Sequence, residues 1–453
     1  MISDQKIMAQ PDGPDDLSGT QSWLSFARLW KRETPRQAGL LFSAQSGSIA
    51  AGFLVSVVQA RLMDPGEMGR LALCLSVIWI GSLFFELGVS AAGARLLALS
   101  DNEEVSRRQL GALVTMGAAI GIAFSLFIAA IAIPVDRVLN TEVRWLLIGA
   151  SALAFLQPFQ SFIEQACQGL NQIRRLAIFQ MTMSWSYALM VTALAISGQL
   201  TAQTALLAYL SGMGLATVWT LAQLRPRFLE TRRYVRLTLN EVRSYGLNIY
   251  LARITGSASV RVDSLLISYF LGRSAAGLAP LGLYAIAQKM ANPIITMSRA
   301  VAITRFRAFA NVNMVPERIS RWNALLLIAA SSGLAIVGPV VLRLAFPRYS
   351  DAAPLLIPFA AWGLFAGLFQ PYNAFLASHG RGAELRNIAL SVTTASVLGL
   401  ILTVPRFGIM GAAWSAAGAM ALDYLLHIYY YRRFTGSLKH QPSSVGEVQL
   451  DEP

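Results

Sequence analysis

The chain has 453 residues, 55% hydrophobic and only 13% charged, with a net charge of +13. That balance excludes an ordinary soluble globular protein, about a quarter of whose residues are charged. In so apolar a chain the cations are read by position, and no nucleic-acid partner is expected.

A bilayer core roughly 30 Å thick takes about 20 helical residues to cross. Residues 1–38 form a polar tail in which WLSFARLWKRE, from Trp23 to Glu33, interleaves aromatics with cations. That segment reads as an interfacial helix or as a short structured piece of tail. Twelve spans are then expected: Gly39–Ala60, Leu71–Ala94, Leu110–Pro134, Trp145–Ala166, Leu176–Ser197, Ala205–Leu224, Tyr245–Leu271, Leu281–Ser298, Trp322–Leu342, Pro354–Ala377, Ile388–Val404 and Ile409–Tyr431. The expected domains are a six-helix unit over 39–224, a basic linker over 225–244, a second six-helix unit over 245–434 and a disordered tail over 435–453.

Of the 37 Lys and Arg residues, 26 lie in the two tails and alternate loops, 8 in the other six loops and 3 inside spans. The positive-inside rule then puts both termini in the cytoplasm of a multi-pass protein of the cell inner (plasma) membrane. The polar N-terminus predicts no cleavable signal peptide, so the first span would direct insertion. Cys74 and Cys167 sit at apolar positions, as packing thiols rather than a disulfide framework.

An internal repeat runs through the pattern. LQPFQSFI in the fourth span matches FQPYNAFL in the tenth, Pro158 and Pro371 being offset by 213, like Gly169 and Gly382, and Gly69 and Gly282. SGS at Ser46–Ser48 matches TGS at Thr255–Ser257 with an offset of 209. Two six-span copies in the same orientation are related by an axis along the membrane normal, with a cleft between them. Each matched proline removes one helical hydrogen bond and predicts a bend.

The seventh span, RITGSASVRVDSLLISYFLG from Arg253, is the anomaly. At about 100° per residue, Arg253, Ser257, Arg261, Ser264 and Ser268 fall within about 80° of one another and form a polar stripe. Three central charges cost roughly 8 to 10 kcal/mol, and the span's aliphatic residues return only about 3 to 6. The span therefore needs neighbours and a wet cavity. Arg253, Arg261, Ser257 and Ser264 are the candidate substrate-binding residues, and the first copy has Ala44 and Gly52 where the arginines stand. Asp263 lies off the stripe and is expected to pair with Lys289, at similar depth on the eighth span. The alternative has Arg253 reaching the inner interface and Arg261 neutralising Asp263.

Glu86, Glu164 and the i,i+4 pair Asp423 and His427 are further intramembrane charges, able to bind or relay a coupling H+ or Na+, or to act as satisfied polar contacts. Glu164, near a span end, is read as the latter. No GxxxxGK[ST] loop, HExxH or Cys/His cluster, or GxSxG elbow occurs, and the outer loops are short. Hence no ATP hydrolysis by that route, no zinc site, no cofactor and no enzyme activity are expected.

The segment ARLMDPGEMGRLALCLSVIWIGSLFFELGVSAAGAR, Ala60–Arg95, followed by RVDSLLISYFLG, GLYAIAQKM, SHGRG and PRFGIMGAA, resembles the polysaccharide-transporter family of lipid-linked oligosaccharide flippases. The likeness runs from about Gly39 to Phe434, departing at Asp64, where Gly is commoner in the family, and at Glu86, where Asp is usual. It implies two six-helix bundles of the multidrug/oligosaccharidyl-lipid/polysaccharide exporter superfamily. It also implies movement of an isoprenoid pyrophosphate-linked sugar unit between leaflets, membrane lipids, a polysaccharide polymerase and chain-length proteins as partners, and cavity arginines that meet the pyrophosphate. The rivals are a cation-coupled drug antiporter, which wants free carboxylates, and a membrane-embedded transferase or polymerase, which wants an outer catalytic cluster.

Overall fold

The computed structural model describes residues 33–100, 102–247, 250, 254, 259–272, 277–309 and 312–439, and every regular element among them is helical. In chain order these are α1 (Glu33–Leu62), α2 (Pro65–Phe85), α3 (Val89–Ala98), α4 (Glu103–Leu139), α5 (Arg144–Ala154), α6 (Leu156–Gly169), α7 (Ile173–Ile196), α8 (Ala202–Leu224) and α9 (Thr231–Glu241). A π-helical turn, Val242–Gly246, precedes α10 (Ser259–Leu271), α11 (Ala279–Phe309) and α12 (Glu317–Ala345). A 3₁₀ stretch, Pro347–Leu355, then leads into α13 (Leu356–Leu368), α14 (Gln370–Ser378) and α15 (Gly382–Lys439). The interfacial segment expected before Glu33 lies outside the described residues. At the other end α15 continues to Lys439, past the predicted start of a tail at 435.

Local chemistry sets the helix starts. Asp64 caps α2 by accepting from the Glu67 amide at 2.8 Å, with Pro65 at the first helical position, and Asn102 caps α4 through the Glu104 amide at 2.8 Å. Thr201 and Thr204 form a reciprocal capping box on α8.

Among the described residues, six helices are long and apolar enough to cross a membrane, or seven if α5 and α6 count as one bent span. Twelve were expected, and the count covers the described residues alone, of which α10 has 13, fewer than a span needs. The last two expected spans are recorded as one helix, broken only at Gly408, whose φ of 57° and ψ of −143° turn the chain.

The matched prolines do mark bends. α5 and α6 meet at Phe155 with an angle of 41°, one turn before the helix has absorbed Pro158. α13 and α14 break at Phe369, two residues before Pro371. Pro371 cannot donate to the Gly367 carbonyl, and Ser298 Oγ from α11 donates to that oxygen instead at 2.7 Å.

Packing is extensive within each half. In the first, α1 packs on α7, α3 on α6, α4 on α5 and α5 on α8; in the second, α10 packs on α15, α11 on α14, α12 on α13 and α13 on α15. The halves meet chiefly where α2 lies against α10 and α11. At the face poor in basic residues one apolar core spans both, including Met63, Met68, Leu139, Leu278, Tyr349 and Leu356. Tyr349 Oη seals it by donating to the Met63 carbonyl at 3.1 Å. Towards the basic loops the core divides. Leu97, Leu110, Phe162 and Leu176 belong to a cluster of the first half, and Phe309, Val315 and Phe375 to a separate one of the second.

The crossing of α2 and α11 is reciprocal. A Cβ on Gly69 would overlap the Leu278 carbonyl, and one on Gly282 would overlap the Pro65 carbonyl. Pro65 with Leu278, and Gly69 with Gly282, are both offset by 213, so equivalent points of the repeat touch each other. This is the self-complementary contact a two-fold axis produces.

The basic segment after α8 is bound to the first half. α9 packs on α3 and α4, burying Tyr234 and Thr238, and Gln109 Nε2 donates to Thr238 Oγ1 at 2.7 Å. Ion pairs flank it: Arg95 to Glu241 at 2.6 Å, Arg108 to Glu230 at 3.0 Å and Arg227 to Glu104 at 2.7 Å. Desolvation pushes the Glu104 carboxyl up, but hydrogen bonds from Arg227 and Arg108 outweigh it and hold the group below its ordinary range.

Candidate functional site

Of the predicted stripe, Arg253 and Ser257 lie outside the described residues, and Arg261 is described as backbone within α10 only. Ser264 and Ser268 are buried, Ser268 Oγ donating to the Ser264 carbonyl at 2.8 Å. Ser264 serves Asp263, its amide donating to Oδ1 at 2.7 Å.

Asp263 is 9% exposed and gathers further donors on its second oxygen, Tyr284 Oη at 3.0 Å and Gln288 Nε2 at 3.4 Å. Tyr284 and Gln288 are i and i+4 on α11, so they share the face turned to Asp263. Lys289, one residue on, is rotated by about 100°. Its Nζ donates to Gln59 Oε1 on α1 at 3.1 Å and approaches Met68 Sδ at 3.9 Å. The two charges thus sit on packed helices, each beside polar groups that the sequence reading did not name.

A second polar region lies in the first half. Glu86, at the end of α2, and Glu164, on α6, line one cavity of about 190 Å³ together with Trp79, Ser82, Gln157 and Gln160. Gln165 Nε2 donates to Glu86 Oε1 at 3.1 Å and Gln160 Nε2 to Glu164 Oε1 at 3.3 Å. Two carboxylates facing one partly enclosed volume suit a cation or a proton better than an anion. Changing Glu86 to Gln is expected to leave the helices folded and to reduce any ion-gradient dependence of transport by at least about tenfold, measured in vesicles with imposed proton or sodium gradients.

The Asp423 and His427 pair forms as its spacing predicts, Nδ1 standing 2.9 Å from Asp423 Oδ1. The imidazole stacks on Phe369 at 4.9 Å, and its Nε2 is buried without a hydrogen-bond partner among the described residues. The residues the sequence reading missed are Gln59, Tyr284 and Gln288. Tyr284 and Gln288 could have been found by extending the i,i+4 rule from Lys289 to its neighbours.

Comparison with known proteins places this arrangement. A family model described as polysaccharide biosynthesis protein matches residues 36–306, more than half of the chain. The chain is also 24% identical over 269 residues to a Haloferax volcanii protein named "Probable low-salt glycan biosynthesis flippase Agl15". That match covers 56% of this chain and 54% of the relative, so the chain spans about half the length of the curated relative it matches. Among solved structures, the fold is similar to an inward-facing multidrug resistance MATE family transporter of the MOP superfamily, with a TM-score of 0.70, 15% identity and coverage of 87% of this chain and 96% of that one. The lipid II flippase MurJ in an inward closed conformation gives 0.67 at 11% identity, covering 88% and 89%. An outward-facing MATE family transporter gives 0.59 at 13% identity, covering 92% and 99%. These structural likenesses establish the shared fold.

Proposed function

Because the chain belongs to the polysaccharide biosynthesis protein family, a multi-pass membrane protein with a MATE- and MurJ-like helical fold, we propose that it is a flippase. Its substrate on this reading is an isoprenoid pyrophosphate-linked oligosaccharide, a repeat unit of exopolysaccharide, capsule or O-antigen, moved from the inner to the outer leaflet of the cell inner membrane. Twelve crossings in two six-helix bundles, with both termini cytoplasmic, accord with the paired contacts of the two halves and with the basic loops gathered on one side.

The observation that carries the mechanism is the apolar core that is continuous on one face and divided on the other. A molecule joined at its outer end and split at its inner end offers a cleft to the cytoplasmic leaflet. Breaking the Gly69 and Gly282 crossing and closing the inner ends would present the same cleft to the outside. Arg253 and Arg261, on the expected seventh span, are the groups proposed to meet the pyrophosphate, since a guanidinium fork matches phosphate oxygens bidentately. Asp263, held by Tyr284 and Gln288, fixes α10, on whose backbone Arg261 lies. Glu86, Asp263, Lys289, Asp423 and His427 are the proposed coupling or locking groups.

A second reading, cation-coupled drug antiport, draws support from the acidic cavity of Glu86 and Glu164. One experiment separates the two. Cells lacking the protein should accumulate the lipid-linked oligosaccharide on the inner leaflet, wild type should clear it, and Arg261→Ala should restore less than about a tenth of the clearance. Full clearance by Arg261→Ala, or no accumulation in the deletion strain, would sink the flippase reading.

A further inference from the structure

Three arginines far apart in sequence converge on a pocket that the transport cycle leaves unused. Arg107 on α4, Arg175 in the first turn of α7 and Arg225 just after α8 line a recess of about 390 Å³ with Trp219, Ala222 and Gln223. All three come from the ends of helices on the basic side. Arg107 meets Glu103 at 2.7 Å, and Arg175 donates to the neutral Gln172 at 2.5 Å. Among the described residues neither Arg175 nor Arg225 has an acidic partner within 4.0 Å. The pocket is therefore cationic and wants an anion.

What lies beside it says which anion. On the stretch of α8 leading into the pocket, Leu215, Val218 and Trp219 are 53%, 66% and 56% exposed. They form an apolar strip at helical spacing that ends at the arginines. Trp219, at the junction, is where interfacial indoles sit in membrane proteins. A free phosphate would use the arginines and ignore the strip. A molecule with acyl chains and an anionic head would use both, and the volume is within the range of about 300–1,000 Å³ found for small-molecule sites.

We propose that Arg107, Arg175, Arg225 and Trp219 form a binding site for the head group of an anionic glycerophospholipid of the inner leaflet, whose chains lie along Leu215 and Val218. The arginines bind the phosphodiester as charge-assisted forks, and basic pockets between membrane helices on the cytoplasmic side recognise such head groups by this chemistry. The site is on the flank of the first half, so a lipid there braces α4, α7 and α8 without entering the cleft. It requires only that the basic side is the cytoplasmic side, and it stands whichever substrate the cleft carries.

The test uses the full chain purified in a mild uncharged detergent, with phosphatidylglycerol, phosphatidylcholine and inorganic phosphate as probes. Bound lipid is counted by native mass spectrometry and its affinity by titration of thermal stability. Phosphatidylglycerol should bind at least about tenfold more tightly than phosphatidylcholine. The double variant Arg175→Gln/Arg225→Gln should lose roughly fivefold per arginine, about 25-fold in all. The control Arg233→Gln/Arg321→Gln, which removes two exposed charges elsewhere, should keep the preference. In wild type, phosphatidylglycerol brominated on its chains should quench an emission component that Trp219→Phe lacks, a readout that needs no arginine variant to fold. Equal binding of the two lipids, a preference that survives in the double variant, or displacement of phosphatidylglycerol by millimolar phosphate with no Trp219 quenching would overturn the proposal, the last by revealing a plain anion site.

Discussion

Replacing Gly282 with valine is expected to hold the two halves apart at the face away from the basic loops. The space a side chain would need there is occupied by the Pro65 carbonyl and, 3.1 Å away, by the Gly69 amide nitrogen. These are backbone atoms of a capped helix, so no rotamer change relieves the overlap and α2 and α11 must separate. Overpacking of this kind costs about 2 kcal/mol, which shifts a two-state equilibrium about 30-fold away from the closed arrangement. The check is labelling of a cysteine placed at Met63, which is 2% exposed, in a chain whose buried Cys74 and Cys167 are replaced by alanine. A membrane-impermeant maleimide applied from outside should react at least about tenfold faster in the valine variant, and transport should fall by a similar factor. Gly69→Val should do the same, because the contact is reciprocal. Unchanged labelling together with wild-type transport would mean that this crossing is not the outer closure.

The second large effect is expected at Asp263. Asp263→Ala removes the acceptor for the buried Tyr284 hydroxyl and for Gln288, and each donor left unsatisfied costs about 1–3 kcal/mol. The alanine variant should be destabilised by roughly 2–5 kcal/mol, visible as a lower melting temperature in detergent. Asp263→Asn keeps one carbonyl oxygen facing Tyr284 and should melt within about 1 kcal/mol of wild type. Transport then separates two roles. If the asparagine variant melts normally and still transports, Asp263 holds α10 against α11 and nothing more; if it melts normally and transport is lost, the charge itself takes part in the cycle.

The features that could be read from the sequence are those set by local chemistry or by repetition. Pro158 and Pro371 mark helix breaks, since a proline leaves a carbonyl without its amide, although Pro134 and Pro339 lie inside continuous helices. Asp423 and His427 had to meet, because four residues make nearly one turn. Gly69 and Gly282 were visible as a repeated pair, but nothing local said that they would touch each other. The other features depended on rotation and on tertiary convergence. Asp263 and Lys289 were legible as charges on neighbouring helices, but not that Tyr284 and Gln288 would donate to Asp263 or that Lys289 would reach Gln59. Glu86 and Glu164 were each noticed, but only the packing of α2 on α6 makes them share one cavity. The arginine pocket had no signature at all, since residues 107, 175 and 225 are joined by folding alone.

The fastening of α9 to α3 and α4 changes where the molecule can flex. Judged by composition, the basic stretch from 225 to 244 is a loose strap between two rigid bodies. Held by Thr238 inside and by Glu104, Glu230 and Glu241 at its margins, most of it travels as cargo of the first body. The π-helical turn goes with it, because a Cβ on Gly246 would lie 2.7 Å from the Gly88 carbonyl, so on the proposed transport cycle the first half carries this stretch through Gly246.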